Sequence, residues 1–207
     1  MHEQIDHPCV QHKLAIIRDI DTGHKRFREL ATEITKFLCY EALKNIKTKA
    51  VEVQTPLATA TGNKIDTDIV VVPILRAGVG MLEGILELVP TARVGFVGLY
   101  RDEETKQPVS YYERFPPQTD GGTCIIIDPM LATGGSTIAA IDMLKKSGAG
   151  EIVVICIVTC DEGLSLVEEA HPDVPIYTAS IDERLDENKY IVPCLGDAGD
   201  RLFGTSH

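Results

Sequence analysis

Asp128-Pro129-Met130-Leu131-Ala132-Thr133-Gly134-Gly135-Ser136-Thr137 is the segment whose residue types and spacing could do chemistry. The apolar run Cys124-Ile125-Ile126-Ile127 precedes it and a helical pattern follows. A strand ending there delivers the Asp128 carboxylate to the rim of a sheet. Two consecutive glycines let backbone N–H groups converge on an anion. The hydroxyls of Thr133, Ser136 and Thr137 add donors, and the helix start adds its positive dipole end. Together these make a cup for a phosphate monoester, with an acid beside it for ribose hydroxyls. The plain structural alternative is a strand–turn–helix junction with Ser136 or Thr137 as helix cap.

Competing chemistries find less support. The Gly-x-x-x-x-Gly-Lys-[Ser/Thr] spacing of a P-loop is missing, and Gly78, Gly80 and Gly84 do not have dinucleotide-binding spacing. Six cysteines, at 9, 39, 124, 156, 160 and 194, form no Cys-x-x-Cys pair. Cys124 and Cys156 sit in apolar runs, where the thiol behaves as a small hydrophobe. No protein-held metal and no disulfide are expected. The histidines lie mostly near the termini and off the motifs, and none is assigned a catalytic role.

The cup needs a scaffold, and the hydrophobic pattern supplies one. Phe27, Leu30, Ala31, Ile34, Leu38 and Ala42 recur at helical spacing, predicting a helix over residues 25–44. Apolar runs at 69–74, 94–99, 124–127, 152–159 and 176–179 read as strands. Helical patterns at 81–89, 137–146 and 164–170 separate most of them. Continuous β-branched runs alternating with helices predict an α/β fold, its parallel sheet covered on both faces. Ligands in such folds sit beyond the C-terminal strand ends, where strand order reverses. Residues 100–123 break the rhythm with a long polar excursion that reads as a hairpin arm.

The chain has 207 residues, the length of a single domain, with 20 Lys+Arg against 31 Asp+Glu and a net charge of −11. That surface repels polyanions, so nucleic-acid binding is disfavoured. Most of the acidity lies in residues 161–187, with nine acids and one base. No apolar run is long enough to span a bilayer, and the N-terminus lacks the pattern of a secretory signal. Six scattered thiols fit a reducing, cytoplasmic setting.

Residues 125–137 resemble the phosphoribosyl-pyrophosphate (PRPP) loop of the type I phosphoribosyltransferases, with Pro129 where that loop usually has a second acid. Asp128-Pro-Met-Leu-Ala-Thr-Gly-Gly-Ser136 is similar to the version in the uracil phosphoribosyltransferase branch. So are His12-Lys-Leu14, Lys25-Arg-Phe-Arg-Glu-Leu30, Val72-Pro-Ile-Leu-Arg-Ala-Gly78, Tyr100-Arg-Asp-Glu-Glu-Thr105 and Tyr190-Ile-Val-Pro-Cys-Leu-Gly-Asp-Ala-Gly-Asp-Arg201. The resemblance implies the reaction of uracil with PRPP to give UMP and pyrophosphate in pyrimidine salvage. It also implies the type I fold, with a five-stranded parallel core flanked by helices. The expected division is a core at about 65–180, a hood from the N-terminal segment and 181–207, and a protruding arm at about 100–123.

The resemblance also implies roles. Arg76 and Arg101 would grip pyrophosphate oxygens, as a guanidinium fork does well. Ion pairs of Arg76 with Glu83 or Glu87, and of Arg101 with the acids after it, are the alternatives. Asp128 and residues 129–136 would hold PRPP. Asp197 would stand in for the missing second acid, or serve only as a turn residue. Ile191, Gly196 and Ala198, beside Asp197, would hold uracil through the backbone. Cytosine reverses part of the donor–acceptor pattern and would be rejected. Cys194 stands where a glycine is common and places a thiol near the base. Mg²⁺ would arrive on PRPP rather than in a protein cage. Lys25, Arg26 and Arg28 form a basic knot, either a solvated helix face or a site for an effector such as GTP. A homodimer or larger homo-oligomer is expected. A non-catalytic pyrimidine-nucleotide sensor on the same fold is the rival reading.

Overall fold

The computed structural model describes residues 1–101 and 108–205; the side chains of Arg101 and Pro108 lie outside that description. In chain order the elements are β1 (His2–Gln4), α1 (Pro8–Arg18), α2 (His24–Ala42), β2 (Thr48–Gln54), β3 (Thr59–Ile65), β4 (Ile69–Leu75) and α3 (Val79–Leu88). Then come β5 (Arg93–Val94), β6 (Phe96–Arg101), β7 (Pro108–Arg114), β8 (Thr123–Ile127), β9 (Met130–Leu131) and α4 (Gly135–Lys146). The chain continues through β10 (Glu151–Cys160), α5 (Asp161–Ala170), β11 (Ile176–Asp182), β12 (Arg184–Leu185), β13 (Ile191–Val192) and α6 (Ala198–Phe203).

The main sheet runs β1-β11-β10-β8-β4-β6-β7, with β5 beside β4 and β9 beside β10. All its pairs are parallel except β6–β7. The five expected strands are β4, β6, β8, β10 and β11. Short β1 and polar β7, which carry no apolar run, extend the edges. Successive side chains divide between two cores. Val71, Ile125, Ile127 and Ile155 join α1, α2, α3 and α6 on one face. Val70, Val72, Ile126, Val154 and Cys156 join α4 and α5 on the other. A strand buried on both faces has no polar face, which is why these runs are continuous.

From β4 the sheet grows to β6 on one side and to β8 on the other, so strand order reverses between β4 and β8. Their C-terminal ends carry Arg76 and Asp128. A side chain at Gly78 would stand 2.4 Å from the Ile127 carbonyl and 2.8 Å from the Ile74 carbonyl. Only glycine lets the turn after β4 press against the end of β8.

Residues 48–65 have no apolar run, and their pattern predicted no element. They form an exposed antiparallel hairpin, β2–β3, whose turn is tied by the Thr55 hydroxyl bonding to Ala58. The arm expected at 100–123 falls partly on residues 102–107, outside the described residues. Its described return strand, β7, lies along the sheet edge against β6.

Candidate active site

Residues 128–132 are tied down on β10. The Pro129 carbonyl accepts the amides of Ile157 and Val158, both at 3.0 Å, and the Thr159 hydroxyl donates to the Leu131 carbonyl at 2.9 Å. The chain then turns through Gly134, whose φ of +78° is left-handed, and enters α4 at Gly135. Gly134 is therefore the cap. Ser136 and Thr137 lie in the first turn, which corrects the junction reading. Gly134 has no side chain with which to cap the first-turn amides, as an anion cup requires.

A cavity of about 380 Å³ opens over this turn. Asp128, Met130, Thr133, Gly134 and Ser136 line one side, and Asn188, Lys189, Tyr190 and Ile191 line the other. The phosphate cup and the start of the expected base loop thus share one space. Burial pushes the Asp128 carboxyl up to about 7, with a weak opposing bond from the Met130 amide at 3.5 Å. A larger cavity, about 530 Å³, lies at the N-terminal strand ends beside Thr123, Glu151 and Ile152. Its charged lining is paired, with Lys145 on Asp173 and Lys47 on Glu151.

Arg76 follows a cis peptide bond from Leu75 and is exposed. Its expected local partner Glu87 binds Lys36 instead. Arg76 reaches across to Asp200, with Nη2 3.7 Å from Oδ1. Arg101 ends β6; its side chain lies outside the described residues.

The segment after β11 forms the β12–β13 hairpin, passes a cis Val192–Pro193 bond and turns left-handed at Cys194 (φ +42°) and Gly196 (φ +71°). Ile191 and Ala198 are buried. Asp197 caps α6, its Oδ1 accepting the Asp200 amide at 2.9 Å, which is the turn role the sequence also allowed. The Cys194 thiol packs 3.6 Å from Met130 Sδ, and burial pushes it up to about 12. Burial keeps it in the neutral thiol form.

The N-terminal helices hold this segment in place. Arg201 stacks over Phe27 at 4.5 Å and donates to the carbonyls of Leu195 and Asp19 at 3.0 and 2.5 Å. Arg28 donates to the Leu202 carbonyl at 2.7 Å. Lys25 and Arg26 pair with Glu29 on an exposed helix face. Sequence reasoning missed Asn188 and Lys189. Lys189 sits in a tight turn at φ +68°, a conformation that spacing alone does not reveal.

Among the described residues no helix is long and apolar enough to cross a membrane. A family model described as uracil phosphoribosyltransferase matches residues 4–205. The uracil phosphoribosyltransferase of Dictyoglomus thermophilum is 54% identical over 202 residues, 97% of this chain and 98% of that protein. That of Streptococcus pneumoniae strain R6 is 52% identical over 204 residues, 98% of each. A solved structure from Aquifex aeolicus superposes with a TM-score of 0.94 at 40% identity, over 100% of this chain and 99% of that one. An adenine phosphoribosyl transferase from Trypanosoma brucei, solved with AMP, pyrophosphate and ribose-5-phosphate, has a TM-score of 0.59 at 15% identity, over 93% and 88%. That last likeness speaks to the fold alone.

Proposed function

The chain belongs to the uracil phosphoribosyltransferase family, and from that premise we propose how its residues divide the work of converting uracil and PRPP to UMP and pyrophosphate. The observation that carries the proposal is the cavity shared by the cup, Asp128 and Ile191 beyond the C-terminal end of β8. The family match favours the enzyme over a nucleotide-sensing regulator.

Residues 129–136 take the 5′-phosphate and the adjoining ribose on backbone amides and hydroxyls. Asp128 accepts hydrogen bonds from the ribose hydroxyls. Arg76 and Arg101 grip the pyrophosphate and stabilise charge as it leaves. Ile191, Gly196 and Ala198 present backbone groups to uracil, and the capping residue Asp197 faces the same region. No general base is assigned. A dissociative displacement at the anomeric carbon needs positioning and leaving-group stabilisation above all.

Mg²⁺ enters the proposal as an ion carried by PRPP. Among the described residues no group of three or more His, Cys, Asp or Glu could hold a metal, and Asp128 is the one carboxylate lining the cavity. That donor set suits an ion bringing its own phosphate oxygens and waters. When bound, it supplies positive charge against the leaving pyrophosphate.

The division into a core at about 65–180, a hood from the N-terminal segment with 181–207, and an arm at about 100–123 is part of this reading. So is a cytoplasmic setting, where six free thiols stay reduced. A homo-oligomer is also proposed, on the exposed β2–β3 hairpin with Val53, Leu57 and Ile65 uncovered. GTP is the proposed effector at a shallow cavity of about 330 Å³ beside Lys25 and Arg28. Arg28 would relay its binding to α6 through Leu202. Saturating GTP that changes neither PRPP affinity nor turnover removes the effector.

The deciding experiment combines protein, Mg²⁺, PRPP and each common nucleobase. Uracil should yield UMP and pyrophosphate. Turnover of hypoxanthine or orotate in its place overturns the assignment.

A further inference from the structure

We propose that Asp182 and Arg18 are positioning residues for the base loop, acting through the backbone amide of Cys194. The inference rests on the reading that residues 191–198 hold uracil.

Asp182 ends β11 and is buried. Its Oδ2 accepts Arg18 Nη1 at 2.7 Å and the Cys194 amide at 2.9 Å. Its Oδ1 accepts Arg18 Nη2 at 2.6 Å and the Ser180 hydroxyl at 2.7 Å. Arg18 Nη2 lies 2.9 Å from Ser180 Oγ as well. Four donors thus converge on one carboxylate, and two of them form a planar guanidinium fork. Burial alone would raise the Asp182 carboxyl, but the bonds from Arg18 and Ser180 outweigh it and hold it below the usual range. The group stays charged, and its geometry is over-determined.

What this pair holds is specific. Asp182 and Cys194 stand at the two ends of the β12–β13 hairpin, the excursion that carries Ile191. The bond between them staples the returning chain to the end of β11. Cys194 keeps a left-handed backbone despite its Cβ, a conformation that is costly for a non-glycine residue and persists only where neighbours enforce it. With its amide held by Asp182, its thiol meets Met130 in the phosphate-side wall. The ion pair therefore sets the spacing between the base loop and the PRPP loop. Backbone recognition depends on that spacing, because backbone groups cannot adjust by choosing another rotamer.

The test is steady-state kinetics of Asp182→Asn with each substrate varied in turn. The KM for uracil should rise ~10-fold while the KM for PRPP stays within ~2-fold, since loss of alignment falls on the loop that Cys194 orients. An unchanged uracil KM with only a lower Vmax, or an equal rise in both constants, marks a merely structural role and overturns the proposal. Ser180→Ala and Arg18→Lys remove single supports from the carboxylate. Each should show the same split at ~2–5-fold, and they decide the matter if Asp182→Asn does not fold. Gly196→Ala serves as the control for the underlying reading. If it leaves the uracil KM unchanged, the base-loop assignment fails. If it raises that KM while the Asp182, Ser180 and Arg18 variants do not, only the positioning role fails.

Discussion

Arg76 Nη2 lies 3.7 Å from Asp200 Oδ1, joining the turn after β4 to the first turn of α6. The guanidinium is 64% exposed, so the pair contributes little stability, ~1 kcal/mol or less. In the proposed role of Arg76, pyrophosphate would draw the guanidinium away from this resting place. Arg76→Ala should lower turnover ~100-fold or more, as loss of a leaving-group donor does, with a smaller effect on the KM for uracil. Asp200→Asn should release Arg76 and tighten product inhibition by pyrophosphate ~2–5-fold. Initial rates at graded pyrophosphate concentrations check both.

Asp128 follows the end of β8 and lines the cavity. Its carboxyl stands at about 7 in the folded protein, above the ~3.9 of an unfolded chain. The folded state then holds the proton more firmly, so stability falls as pH rises from about 4 through 7. Asp128→Asn removes that titration. Its gain in melting temperature over the parent should be larger at pH 8 than at pH 5, while UMP formation drops ~10–100-fold through loss of a charged acceptor. Melting curves at the two pH values, read beside the rate, check both halves.

Lys189 lines the same cavity as the cup. Lys189→Ala should raise the KM for PRPP ~3–10-fold at low ionic strength and less at high salt, because an exposed charge is screened. Kinetics at two salt concentrations decide; a salt-independent effect would sink the electrostatic reading.

Gly134 is the residue least open to substitution in the cup. Its φ is +78°, and an added Cβ would stand 3.0 Å from both the Gly163 carbonyl and Val167 Cγ2. Gly134→Ala should cost ~1–3 kcal/mol from backbone conformation and crowding. Chemical denaturation measures the loss, and PRPP binding should weaken in parallel.

Alkylation should sort the six thiols. Cys9 is exposed, whereas the other five are buried, and burial pushes Cys39, Cys156 and Cys194 up to about 12 and Cys124 to about 11. Under native conditions iodoacetamide should add once, at Cys9. Mass spectrometry showing early modification of Cys194 contradicts its packing role.

The strands of the sheet were legible because each is local information. Runs such as Ile69–Ile74 and Ile152–Thr159 declare burial on two faces, and the helices between them declare parallel crossovers. The cup was legible for the same reason, being one unbroken segment. Residues 48–65 were not, since an exposed hairpin buries no face and leaves no periodic trace. The partner of Arg76 was also hidden. Glu83 and Glu87 are near in sequence, but Asp200 wins because α6 folds back over the strand ends. Lys189 and Asp182 escaped notice for a related reason: each matters through a neighbour that only the folded chain supplies.

The clasp between Arg201 and the Asp19 carbonyl makes the first and last few dozen residues neighbours. On the ribosome, α1 and α2 emerge long before α6. Until Leu202 arrives to fill the space beside Gly80, the face of α2 and α3 that it covers stays open to solvent. On the proposed reading the base loop is thus the last part of the site to be secured, and a nascent chain stalled short of Arg201 would lack the contacts to Leu195, Asp19 and Phe27 that hold it.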